Sequence, residues 1–117
     1  MNRDKSPRLY LQDIAESIGL IEEYISGNTR EDFEADIGLQ DKIIRRMEII
    51  GEAAKYIPED LRVKTPKIPW TLVTDMRNVL IHEYFGIDLS RIWSVVSGPK
   101  LQDLKTGVEK LLRELKD

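Results

Sequence analysis

The sequence has no cysteine and a single histidine. Without thiols there is no disulfide, no thiolate metal site and no cysteine nucleophile, a composition that fits a reducing cytosol. Any catalysis that needs an imidazole must use His82. No apolar run approaches the roughly 18 residues a membrane-spanning helix needs, so no membrane contact is expected. The opening Met1-Asn2-Arg3-Asp4-Lys5 is not followed by the apolar stretch of a secretory leader, and the expected compartment is the cytoplasm. Excess positive charge is missing too: 18 Lys and Arg stand against 21 Asp and Glu, for a net charge of −3. Proteins that bind nucleic acid by bulk electrostatics carry the opposite sign. Any nucleic-acid contact must therefore use a local basic patch, or one assembled between subunits. Gly-rich phosphate loops, Ser-His-Asp sets, zinc-ligand spacings, internal repeats and low-complexity tracts are all absent.

What the chain does have is helical periodicity. Its 117 residues, 41% hydrophobic and 33% charged, fit one globular domain over 1–117. Pro7 suits a first helical turn, and Leu9, Ile14, Ile18, Ile21 and Ile25 are read as one apolar stripe ending at Gly27-Asn28. Thr29 reads as an N-cap followed by acidic first-turn residues, opening a short helix or turn. A long helix is expected from about Ile37 to Tyr56, with Ile43, Ile44, Met47, Ile50, Ala54 and Ile57 inward and Pro58 as its stop. The stretch from Pro58 to Pro69 holds three prolines and reads as an ordered connector. The next helix starts at Pro69-Trp70 and runs to about Tyr84, closed by Gly86. Asp88 caps a helix over Leu89 to Val96. After Gly98-Pro99, a last helix carries Leu101, Leu104, Val108, Leu111, Leu112 and Leu115. The expected fold is all-α, a bundle of four to five helices with a short extra one.

Chemistry concentrates in Met76-Arg77-Asn78-Val79-Leu80-Ile81-His82-Glu83-Tyr84-Phe85-Gly86. At about 100° per residue, Leu72, Val73, Met76, Val79 and Leu80 share an arc that should face the core. Trp70, Arg77, Ile81 and Tyr84 share a second arc, and Thr71, Asp75, Asn78 and His82 a third. Arg77 and His82 are then about 140° apart, a geometry that permits a joint site over one phosphate without demanding it. A neutral imidazole can take a proton from an RNA 2′-hydroxyl near pH 7, and a guanidinium can stabilise charge on the phosphate. Asn78 can hold either group by hydrogen bonding. Spacing alone leaves open that these side chains are structural or solvated. The carboxylate groups Glu48/Glu52 and Glu22/Glu23 raise the thought of a metal site, but without a second histidine they read as ion-pair partners or solvated faces.

The run Arg77-Asn78-Val79-Leu80-Ile81-His82-Glu83-Tyr84 resembles the Arg-x-x-x-x-His-x-Tyr signature of HepT-like proteins of the HEPN superfamily. Further blocks resemble the family in order: Tyr10-Leu11-Gln12-Asp13-Ile14, the segment Ile43 to Ala53, Ile68-Pro69-Trp70, Phe85-Gly86-Ile87-Asp88 and Trp93. The resemblance implies a helical homodimer whose two signature helices line a shared cleft. It implies the toxin half of a toxin–antitoxin pair, an endoribonuclease using Arg77 and His82 without metal or cofactor, with Asn78 in support. It also implies that Tyr84 is the tyrosine to which a partner, a MntA-like nucleotidyltransferase antitoxin, adds AMP. The rival expectations are a non-catalytic helical module that binds a nucleotidyltransferase, and a purely structural dimeric bundle.

Overall fold

Leu9, read as the start of the first apolar stripe, points the other way: it is 45% exposed. Leu9 lies five residues before Ile14, about 140° around the helix, whereas Tyr10 and Leu11 flank the stripe and are buried in its place. Ile14, Ile18 and Ile21 are fully buried, as their spacing requires.

This helix, α1, spans Pro7–Ile25 with Pro7 in its first turn. It ends where Gly27 adopts φ +77, a left-handed conformation that glycine takes without a Cβ penalty. The Asn28 side-chain amide donates to the Tyr24 carbonyl at the same turn. α2, Arg30–Ala35, opens with a capping box between Thr29 and Asp32. α3 runs Ile37–Ala54, with the Asp36 carboxylate accepting from the Leu39 amide. Pro58 follows as the N-cap of a single turn, α4, Glu59–Arg62, which lies inside the expected connector. α5, Leu89–Ser97, is capped by Asp88, and α6, Pro99–Glu114, starts with proline at its first turn.

The structure is a computed structural model that describes residues 6–71, 73–75, 80 and 88–115. Residues 70–71, 73–75 and 80 are helical, and no strand occurs among the described residues. The architecture is the all-α bundle expected.

α1 is the central element. It packs along α3 and against α6, and α5 closes over α2 and α6. The buried apolar side chains form one continuous cluster, with Ile43, Met47, Ile50 and Ala54 supplied by α3 and Leu101, Leu104, Val108 and Leu111 by α6. Burying a side chain such as Ile43 contributes about 1.5–3 kcal/mol. Tyr10 stacks on Tyr56 with ring centroids 4.7 Å apart, and Phe33 packs on Trp93 at 5.5 Å. No helix among the described residues is long and apolar enough to cross a membrane.

Candidate active site

The four residues named from the sequence, Arg77, Asn78, His82 and Tyr84, lie outside the described residues, as do Leu72, Met76 and Val79 of the expected core arc and the closing Gly86. The structure does describe the start of the helix that leads to them. Val73 and Leu80, which the sequence assigns to the core arc, are both buried. Thr71 and Asp75, on the arc that His82 shares by spacing, are exposed. Trp70, which opens the arc of Arg77 and Tyr84, is buried.

The first helical bond here runs from the Val73 amide to the Pro69 carbonyl. The Thr74 hydroxyl donates to the Trp70 carbonyl one turn back. The indole N–H of Trp70 donates to Thr65 Oγ1 at 3.0 Å, and the Thr65 hydroxyl donates in turn to the Arg62 carbonyl. The Arg62 guanidinium carbon lies 5.6 Å from the centre of the Trp70 ring. Its Nε donates to the Ile57 carbonyl at 2.9 Å and its Nη2 to the Ala54 carbonyl at 2.7 Å. Helix C-termini leave carbonyls without intrahelical partners, and a guanidinium is well suited to them in charge and shape. Arg62 thus joins the end of α3 to Trp70, the first residue of the helix that follows α4. An open groove of about 440 Å³, lined by Glu59, Arg62, Thr65 and Thr71 among others, runs beside this junction.

Reading the sequence did not single out Arg62 or Thr65. The available signal was a charged residue and a hydroxyl held in a proline-rich connector immediately before a tryptophan, and only the packed structure shows that they converge on it.

Three of the carboxylates weighed as metal ligands, Glu22, Glu48 and Glu52, are engaged with cations. Glu22 on α1 accepts from Gln102 and from Lys105 on α6, the latter at 3.0 Å. Gln102 first and Lys105 second hold the Glu22 carboxyl below its ordinary range, and Glu22 holds the Lys105 ammonium above its own. Glu52 pairs with Lys55 and Glu48 with Arg45. At Asp88, the Ser90 hydroxyl and the Arg91 amide lower the carboxyl, as expected for an ionised N-cap.

Comparison with known proteins supplies what local geometry leaves out. A family model described as "Ribonuclease HepT-like" matches residues 14–111. A protein of Methanocaldococcus jannaschii named "Gamma-glutamylcyclotransferase and putative RNase" is 46% identical over 111 residues, 95% of this chain. The chain spans only 50% of that relative's length. A "Probable ribonuclease HepT" from Thermococcus cleftensis is 46% identical over 107 residues, covering 92% of this chain and 96% of the relative. A "Putative RNase" from Caldanaerobacter subterraneus subsp. tengcongensis is 38% identical over 112 residues, 96% of this chain and 99% of its own. No solved structure matches.

Proposed function

The chain belongs to the HepT-like ribonuclease family, and from that premise we propose that it is a metal-independent endoribonuclease whose cleavage site is built on Arg77 and His82. The observation that carries this reading is the family match over 14–111, which contains the whole Arg77 to Tyr84 segment.

In this reading neutral His82 takes the proton of an RNA 2′-hydroxyl. The freed 2′-oxygen attacks the adjacent phosphorus, and the 5′-oxygen leaves and is protonated. The products carry a 2′,3′-cyclic phosphate and a 5′-hydroxyl. Arg77 holds the phosphate and stabilises the charge that develops on it, with Asn78 positioning either group. The working unit is a homodimer, in which two copies of Arg77, with Arg45 and Arg46, concentrate positive potential that the chain as a whole lacks. Arg45 is exposed and Arg46 half-buried. Tyr84, on the arc of Arg77 by spacing, is the site of AMP addition by a MntA-like nucleotidyltransferase antitoxin. A bulky anionic adduct there blocks RNA and occupies the guanidinium.

The deciding experiment is RNA cleavage by purified protein in excess EDTA, with end-group analysis, for wild type, His82→Ala and Arg77→Ala. Removing a general base costs about 10²–10⁴-fold, so only wild type should cleave at a measurable rate and leave cyclic phosphate ends. Equal cleavage by all three sinks the assignment. Folded proteins that never cleave point instead to a binding module. For the modification, Tyr84→Phe should resist neutralisation by the partner; full neutralisation of that variant refutes it.

A further inference from the structure

We propose that Arg62 is a positioning residue for RNA cleavage, a latch that fixes the rotation of the helix leading to Arg77 and His82; this rests on the ribonuclease reading above. Three elements meet at its side chain. Two of its nitrogens are committed to the Ala54 carbonyl at the end of α3 and to the Ile57 carbonyl in the turn that follows. Its guanidinium also lies over the Trp70 ring, whose N–H is taken by Thr65. The backbone of Arg62 completes the loop, since its carbonyl accepts from both the Thr65 amide and the Thr65 hydroxyl. Trp70 is therefore fixed at its ring face and at its N–H, and it is only 6% exposed.

Fixing Trp70 fixes an azimuth. In the helix expected from Pro69 to about Tyr84, Arg77 follows Trp70 by seven residues, nearly two full turns and so about 20° from it by spacing. A rotation of about 20° carries atoms about 6 Å from a helix axis through roughly 2 Å. Misplacement of reacting groups by about 1 Å can cost about 100-fold in rate. A guanidinium with a planar fork can hold two carbonyls and lie on an aromatic face together, whereas an ammonium offers a point charge without that geometry. The role assigned to Arg62 thus depends on shape, and conserving its charge does not preserve it.

The test compares wild type, Arg62→Ala, Arg62→Lys and Thr65→Val in RNA cleavage at several salt concentrations, with amide exchange of peptides over 71–80. The expected result is a kcat about 10- to 100-fold lower in Arg62→Ala and nearly as low in Arg62→Lys. KM and the salt slope should stay at their wild-type values, and amide exchange should quicken over 71–80 while that of α1, α3 and α6 is unchanged. Thr65→Val, which keeps the side chain's shape, should show a smaller fall of the same kind, and it carries the test alone if Arg62→Ala does not fold. Wild-type kcat in Arg62→Ala, or in Thr65→Val where that variant stands alone, overturns the proposal. So does a loss confined to KM, with a shallower salt slope and rescue by lysine, because that is the signature of a phosphate contact. Should wild type not cleave RNA, or should His82→Ala cleave as well, the ribonuclease reading fails separately. The exchange data still decide the latch: acceleration confined to 71–80 upholds it, and acceleration that is absent or general ends it.

Discussion

At Gly107 an added Cβ would stand 2.3 Å from Ile68 Cδ1 and 2.9 Å from Ile68 Cγ1. Ile68 is itself buried, so its side chain has little room to retreat. Replacing a mid-helix glycine by alanine gains about 1 kcal/mol in helix propensity, but overpacking a filled core costs about 1–3 kcal/mol. Gly107→Ala should therefore destabilise by about 1 kcal/mol net in denaturant titrations. Trimming the partner in Gly107→Ala/Ile68→Ala should recover part of the loss as a coupling energy in the double-mutant cycle. The close approach at Gly107 was not legible in the sequence, because Gly19, also inside a helix, has nothing within 4 Å of an added Cβ. Leu9 illustrates the opposite case. Its hydrophobicity invited a place in the stripe, and a strict count of 100° per residue would have excluded it.

At the scale of helices, caps and stops were the most legible features, because each is set by a few neighbouring residues. Thr29 with Asp32, Pro58, Asp88 and Gly98-Pro99 all mark boundaries where the sequence indicates them. α4 was not legible: one turn is too short to show a period. Thr29→Ala should lower stability by about 1 kcal/mol through loss of the cap on α2. Ile43→Ala, which empties a fully buried position between α3 and α1, should cost about 2–5 kcal/mol. Both are read from the shift in urea midpoint at constant slope. The tie between α1 and α6 adds a pH signature. Glu22 titrates lower when folded than unfolded, so its contribution is complete above the ordinary carboxylate range. It is lost as pH falls through that range, about 4, towards the folded value. Lys105 titrates higher when folded, and its contribution is lost only at strongly alkaline pH. Glu22→Gln should flatten the acid limb of the stability profile. An unchanged acid limb in that variant would refute the assignment.

For the whole molecule, the all-helical class followed from periodicity, whereas the order of packing did not. Nothing in the spacing of α6 says that it lies against α1 rather than α3, because any amphipathic helix can cover any apolar face. The residues proposed for the site stand out in the sequence for a different reason: His82 is the only imidazole, and Arg77 precedes it at a spacing that resembles a known family. The junction of Arg62 and Thr65 with Trp70 was invisible because its residues are joined only through tertiary contact. Large apolar side chains remain exposed at Ile37 and Val63, as well as Leu9. If the protein is the dimer proposed, sedimentation equilibrium should give twice the chain mass, and a monomer mass at micromolar concentration would exclude the dimer.

The pairing of α1 with α6 also bears on how fast the chain finds and leaves its native state. Glu22 and Lys105 are 83 residues apart, whereas α1 and α3 are joined by a short turn and α2. Closing the longer loop costs roughly 2 kcal/mol more in chain entropy, so α1 and α3 should associate first and α6 should dock late. Mutations that weaken α6, such as Val108→Ala, should then leave the refolding rate nearly unchanged and accelerate unfolding. Equivalent losses in α3 should slow refolding instead. The helix that completes the core would thus govern the lifetime of the folded protein, and the pairing of α1 with α3 the speed of its formation.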